Sequence, residues 1–194
     1  MREVTKIIGV RLYAWDEAPY QYRQLLEDAI RARNGAQPSY SKYRVGCAMR
    51  SAQGKIYTGA NVENVAYTPT MHAEWLAASS LAMQEGIAQA EGYLVRDRFV
   101  RKIAAVAVVG APGDVTIALP PKPWPPGSFP DDPFQWSIAP CGLCRQVIWE
   151  NCMGDPSVPL IELTPTGEVS VTTMGEAYPF PFGPDALGID VWRA

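Results

Sequence analysis

The chain contains one histidine, His72, in 194 residues, so any imidazole chemistry must run through that single side chain. It lacks an apolar run approaching the ~20 residues a membrane span needs, and the apolar stretch near the start of "MREVTKIIGVRLYAWDE" is too short and too charged for a signal peptide. No membrane contact and a cytoplasmic location are the resulting expectations. An excess of basic charge is also missing: 17 Lys and Arg stand against 20 Asp and Glu, for a net charge of −3. Without a basic field to displace counterions, a polynucleotide partner is disfavoured and a small neutral substrate is favoured. Cysteine is sparse, with only Cys47, Cys141, Cys144 and Cys152. In a chain of this size without a secretion signal they are reduced thiols, available for metal or packing, rather than a disulfide framework. There is no internal repeat and no block of like charge.

What is present is a chain with 47% hydrophobic residues, in the size range of one domain with a proper core. From Ala18 to Arg33, Tyr22, Leu25, Leu26, Ala29 and Ile30 recur at three- and four-residue steps, and Asn34-Gly35 closes this first helix. "YRVGCAMRSAQGKIYTGANV" carries two β-prone runs around a glycine-containing turn, which makes a hairpin. Thr70 is a candidate N-cap for a second helix ending at Gly86, with His72 in its first turn. "KIAAVAVVG" is a strand buried on both faces and central in the sheet. From Ala111 to Ser137 follows an irregular stretch with eight of the chain's 18 prolines and the aromatics Trp124, Phe129, Phe134 and Trp136. Such a loop is usually a lid, a binding loop or disorder, and its aromatics argue against full disorder. Pro140 suits the start of a third helix through "CGLCRQVIWEN", and "VPLIELTPTGEVSVTT" contains two strands whose short link makes them antiparallel.

Cys141 and Cys144, three residues apart, share one helix face, and at a helix N-terminus their thiols should ionise easily and bind a metal such as zinc. A C-x-x-C pair alone also suits redox or packing roles, and a lone histidine among apolar residues is commonly core. Together, two thiolates and one imidazole leave the fourth tetrahedral position open, as in catalytic rather than structural zinc sites. Glu74 supplies a base beside them. In an ideal helix residues i and i+2 point apart, so His72 and Glu74 serve one site only if the first turn lines the pocket. The order His72-Ala73-Glu74 followed by Pro140-Cys141-Gly142-Leu143-Cys144 is the H-x-E and P-C-x-x-C signature of zinc deaminases. In that chemistry the glutamate is no ligand; it moves the proton of the attacking water to a ring nitrogen and then assists departure of ammonia.

Beyond the motif, the sequence resembles the cytidine deaminase family over most of its length. "YSKYRVGCAM" is similar to that family's "PYSxFxVGAAL", "GKIYTGANVENVAY" to "GxxNVENASY", "PCGLCRQVIWE" to "PCGxCRQVxxE" and "PFGPDALG" to "AFGPxxL". The resemblance implies an α/β fold: a three-layer α/β/α domain over 1–194 with a mixed five-stranded sheet, its last two strands antiparallel. An N-terminal extension (1–17) and the Pro-rich aromatic insertion (111–137) are added to it. It implies one Zn2+ per subunit on His72, Cys141 and Cys144, with Glu74 as proton carrier. It further implies that Asn61 and Glu63 take a ribose hydroxyl, the Ala73 N–H the pyrimidine carbonyl, and the Ala139 C=O the leaving amine. Tyr43 stands where the family has phenylalanine and adds a hydroxyl near the sugar, and Phe182 resembles a C-terminal aromatic that reaches a base in a neighbouring subunit.

Short members of the family usually carry cysteine at the His72 position and an arginine after the glutamate. Here that second position is Trp75, and imidazole in place of thiolate removes the charge the arginine would offset. Cys47 and Cys152 are expected to pack. The expected activity is hydrolytic deamination of cytidine and 2′-deoxycytidine by a homo-oligomer, dimer or tetramer. Two alternatives stand beside it: the same chemistry on a modified cytosine nucleoside admitted by the 111–137 loop, and a non-catalytic zinc-stabilised binding module.

Overall fold

A computed structural model of the chain describes residues 5–90, 103–124 and 139–188. Among the described residues, six strands form one mixed sheet: β1 (Arg11–Tyr13), β2 (Tyr43–Ser51), β3 (Ile56–Ala60), β4 (Ile103–Pro112), β5 (Pro159–Leu163) and β6 (Val169–Thr173), in the order β1-β6-β5-β4-β2-β3. Among these six strands only the β4–β5 pairing is parallel; the final β5–β6 pair is antiparallel, as its short link requires. β4 is central, and its run of small and branched apolar residues is buried on both faces.

Five of these strands are the expected set, and the sixth is a difference. Residues of the N-terminal extension add β1 to the sheet edge, pairing Arg11 to Tyr13 with Val171 to Val169. The extension is held by side chains as well: Glu176 accepts from the Gly9 N–H at 3.2 Å, the Thr172 hydroxyl donates to the Gly9 C=O at 3.2 Å, and the Lys6 ammonium donates to the Gly175 C=O at 2.7 Å. A strand this short, with no clear alternation, is set by its partner edge rather than by its own sequence.

Helices cover both faces. α1 (Tyr20–Arg33) buries Leu25, Leu26, Ala29 and Ile30 on one face, against Ala105, Ala107, Val109 and Ile161. α2 (Ala73–Ala90) and α3 (Gly142–Asn151) cover the other, where Ala77, Leu81 and Ile148 meet Met49, Val106 and Leu160. A single turn, α4 (Met174–Ala177), follows β6 with a capping box between Thr173 and Glu176. At Gly59 a Cβ would lie 2.3 Å from the Ala73 C=O and 2.6 Å from the Ala77 N, so the missing side chain is what lets the start of α2 press onto β3.

Four boundaries around the site differ from those the sequence pattern predicts. α2 begins at Ala73, because Met71 is drawn into a two-way backbone bridge with Val62. It runs through Gly86 to Ala90, the ~1 kcal/mol cost of a helical glycine being offset by the burial of Ala77, Ala78 and Leu81 earlier in the helix. α3 begins at Gly142 with Cys141 at its N-cap, so Pro140 precedes the helix. The irregular stretch starts at Gly113, because Ala111 and Pro112 still pair with Arg44 and Tyr43. Its described part runs beside the β5–β6 turn, with the Trp124 N–H donating to the Pro165 C=O at 2.8 Å; residues 125–138 of the insertion lie outside the described residues. Among the described residues no helix is long and apolar enough to cross a membrane.

Candidate zinc centre and catalytic cavity

Two helix starts meet at the site. His72 occupies the position just before α2, its C=O accepting the first helical bond from the Leu76 N–H at 3.0 Å. Because it lies outside the regular helix, its ring and the Glu74 side chain face the same cavity. From the opposite side, the α3 start brings Cys141 and Cys144 to the imidazole. His72 Nδ1 lies 3.6 Å from Cys141 Sγ and 3.3 Å from Cys144 Sγ, and all three donor atoms fall within 4.8 Å of one another. Ordinary Zn–S and Zn–N bonds at a tetrahedral angle put sulfur and nitrogen roughly 3.6 Å apart, so the trio fits one zinc ion. One Zn2+ site per subunit follows, with Nδ1 as the imidazole ligand atom.

The Cys144 thiol does not behave as the helix-start argument alone suggests. Burial pushes the Cys144 thiol well up, and the Glu74 carboxylate and Cys141 beside it push it further. For this residue desolvation outweighs the helix dipole, so the thiolate depends on the cation for its stability. Glu74 is itself 5% exposed, a carboxylate held in a nearly closed space. Cys47, fully buried on β2, is also pushed up by burial and by Glu74; Cys152, also buried, has its Sγ 3.3 Å from the Trp149 C=O. Both are core thiols, as expected.

The cavity beside the metal site has a volume of about 300 Å³. Tyr43, Asn61, Glu63, His72, Ala73, Glu74, Ala139 and Cys141 all line it, which gathers eight of the ten expected site residues. Cys144 is buried and reaches the site through its sulfur. Phe182 does not line this cavity; it is 56% exposed, and its C=O accepts from the Gln146 side chain at 2.9 Å. Val45, Thr70 and Val108 also line the cavity and escaped the sequence reading. The two valines look like any strand residue in an apolar run, and Thr70 reads as a helix cap in the sequence whereas its hydroxyl accepts from the Asn64 N–H at 3.2 Å.

The far end of the cavity is polar. Asn61 Oδ1 accepts from the Val45 N–H at 2.8 Å and its Nδ2 donates to the Tyr43 C=O at 2.9 Å, leaving one donor and one acceptor site on the amide. Glu63 Oε2 accepts from the Tyr40 and Ser41 N–H groups at 2.7 and 3.0 Å. Hydrogen bonds from the Ser41 side chain and backbone, then that from Tyr40, hold its carboxyl below the usual range, so it is an anion. Burial pushes the Tyr43 hydroxyl up, keeping it a neutral donor.

A three-layer α/β/α fold in which two helix starts hold an imidazole and two sulfurs, with a carboxylate alongside, defines an open, catalytic type of zinc centre. The model of the cytidine and deoxycytidylate deaminase zinc-binding region matches residues 19–158, and the chain belongs to that family. It is 30% identical to a cytidine deaminase of Sporosarcina psychrophila, covering 84% of this chain and 93% of that one. Against a cytidine deaminase of Halalkalibacterium halodurans the identity is 32%, over 82% and 92% of the two chains. The crystal structure of cytidine deaminase from Burkholderia pseudomallei superposes with a TM-score of 0.55 at 32% identity, covering 85% of this chain and all of that one.

Proposed function

We propose that the protein is a hydrolase that converts cytidine and 2′-deoxycytidine to the corresponding uridines with release of ammonia. The observation that carries this reading is the meeting of the zinc donor set with buried Glu74 in one cavity whose other end is polar. His72, Cys141 and Cys144 would hold the zinc, which when bound would supply the Lewis acidity that makes a water nucleophilic near neutral pH. Glu74 takes a proton from the attacking water and delivers it to the ring nitrogen next to the amine-bearing carbon. A C–O bond forms at this carbon, the C–N bond breaks, and a further proton carried by Glu74 leaves with ammonia. The Ala73 N–H at the start of α2 holds the pyrimidine carbonyl, and the Ala139 C=O accepts from the departing amine. Asn61 and Glu63 take a sugar hydroxyl between the amide and the anionic oxygen, with Tyr43 beside the sugar.

Phe182 belongs to a neighbouring copy's site in this reading, within a homo-oligomer. Its side chain is 56% exposed, as a contact with a neighbouring copy requires. A cytoplasmic, single-nucleoside role without nucleic acid accords with the net charge of −3. The described part of the insertion, Gly113 to Trp124, lines no part of the catalytic cavity, so a modified base has no support from it.

The test is Glu74→Gln, assayed by the loss of cytidine absorbance and by zinc content. The expected variant keeps its zinc and loses turnover by about 10²–10⁴-fold, the usual worth of a positioned proton carrier. A zinc-loaded wild type that leaves cytidine untouched overturns the reading in favour of a zinc-stabilised binding module.

A further inference from the structure

Thr70 lines the catalytic cavity, and the backbone explains why it faces inward. Val62 and Met71 form one antiparallel bridge, the Val62 N–H donating to the Met71 C=O at 3.0 Å and the Met71 N–H to the Val62 C=O at 2.9 Å. In that register Asn61 stands opposite His72, and Glu63 opposite Thr70. Side chains alternate along paired backbone, and the pairs that flank a doubly bonded one are those whose side chains approach most closely. All four of these residues line the cavity, whereas Val62 and Met71 do not. A sugar-holding amide and a zinc ligand thus make one pair on the wall, and Glu63 with Thr70 makes the next.

The hydrogen bonds of this second pair do not run between its members. Glu63 Oε2 accepts from the Tyr40 and Ser41 N–H groups at 2.7 and 3.0 Å. Thr70 Oγ1 accepts from the Asn64 N–H at 3.2 Å, and the Thr70 N–H is fixed on the Tyr67 C=O at 2.8 Å. Among the described residues nothing accepts the Thr70 hydroxyl proton, Glu63 included. The oxygen is anchored and the proton is left to donate to a group in the cavity.

We infer that Thr70 is a specificity residue that reads the ribose 2′-hydroxyl, so that cytosine ribonucleosides are favoured over their 2′-deoxy forms. The inference rests on the substrate placement proposed above, with the base carbonyl on the Ala73 N–H and a sugar hydroxyl at Asn61 and Glu63. In a nucleoside whose base is turned outward from its sugar, the pyrimidine carbonyl stands on the 2′ side of the glycosidic bond and the 5′ carbon on the other. A wall that holds the carbonyl at Ala73 therefore continues along the 2′- and 3′-hydroxyls. Asn61 and Glu63 take the 3′-hydroxyl. Its vicinal 2′ neighbour turns toward the segment that leads to Ala73, where Thr70 stands opposite Glu63. The 2′ oxygen accepts from the Thr70 hydroxyl, and a 2′-deoxynucleoside leaves that donor without a partner.

The experiment compares kcat/KM for cytidine and 2′-deoxycytidine in the zinc-loaded wild type, Thr70→Val and Thr70→Ser. In parallel, calorimetry measures binding of uridine and 2′-deoxyuridine, which needs no turnover. Wild type should prefer the ribonucleoside by roughly three- to tenfold, the worth of one hydrogen bond. Thr70→Val keeps the shape without the hydroxyl and should bring the ratio close to one, while Thr70→Ser retains the preference. Because the 2′-hydroxyl is remote from the reacting carbon, the loss should appear in KM for cytidine rather than in kcat. Thr70→Val also takes the acceptor from the Asn64 N–H, but a disturbed loop weakens both nucleosides alike, so the ratio separates recognition from structure. Thr70→Ala replaces it, under the same criterion, if the valine variant does not fold. A wild type without ribose preference, or a preference that survives removal of the hydroxyl, overturns the inference. If neither nucleoside turns over, the deaminase reading has failed, and the uridine to 2′-deoxyuridine affinity ratio decides the role of Thr70 by the same criterion.

Discussion

Glu85 is 2% exposed, and one of its oxygens has no hydrogen-bond partner, so the Tyr57 hydroxyl that donates to the other at 2.8 Å is the group that makes its burial tolerable. Replacing Tyr57 by Phe should destabilise the fold by about 1–3 kcal/mol, measured by urea denaturation at neutral pH. Burial, then the hydrogen bond and charge of Glu85, push the Tyr57 hydroxyl up to about 12 from an ordinary value of 10.0. The native state therefore holds that proton more tightly than the unfolded chain. Its contribution to stability is complete below pH 10.0 and lost as pH rises through about 12. Wild type should lose stability across this window, and Tyr57→Phe should lose less.

Among the elements, the start of α2 is the one whose placement decides activity. It carries His72, Ala73 and Glu74, and it reaches the sheet only because Gly59 has no side chain to hold it away. Gly59→Ala should cost about 1–3 kcal/mol through overpacking. It should also weaken zinc affinity, because the imidazole moves relative to two sulfurs fixed on α3. Competition with a zinc chelator measures this, and an unchanged affinity with normal stability would show that β3 yields instead. The hairpin of β5 and β6 shows the opposite case: its turn and antiparallel pairing were legible from spacing alone, since so short a link has one geometric solution.

For the whole molecule, zinc is a cross-link between segments 69 and 72 residues apart in sequence. Stripping it should lower thermal stability, by roughly 4 kcal/mol relative to protein at a thousandfold excess of zinc over its dissociation constant. Because Cys144 is pushed up in the absence of the cation, zinc uptake should release about one to two protons, and apparent affinity should fall as pH falls. Titration of the metal-free protein in weak buffer reads the protons directly. Uptake without proton release would mean that the sulfurs were already thiolates.

The motif residues His72, Glu74, Cys141 and Cys144, the two hairpins, the central strand and the covering helices were all readable from sequence. Ligand chemistry restricts residue type and spacing, and strand and helix periods restrict the apolar pattern. Tertiary structure alone decided how the parts meet. It placed His72 before the helix rather than within it, so that residues two apart share a cavity. It raised Cys144 by burial where local position predicted easy ionisation, and it turned three inconspicuous residues, Val45, Thr70 and Val108, into cavity wall. Joining residues 11–13 to the sheet also needed the β6 edge. Desolvation, cavity lining and edge pairing depend on what lies across space from a residue, and that is information no local pattern contains.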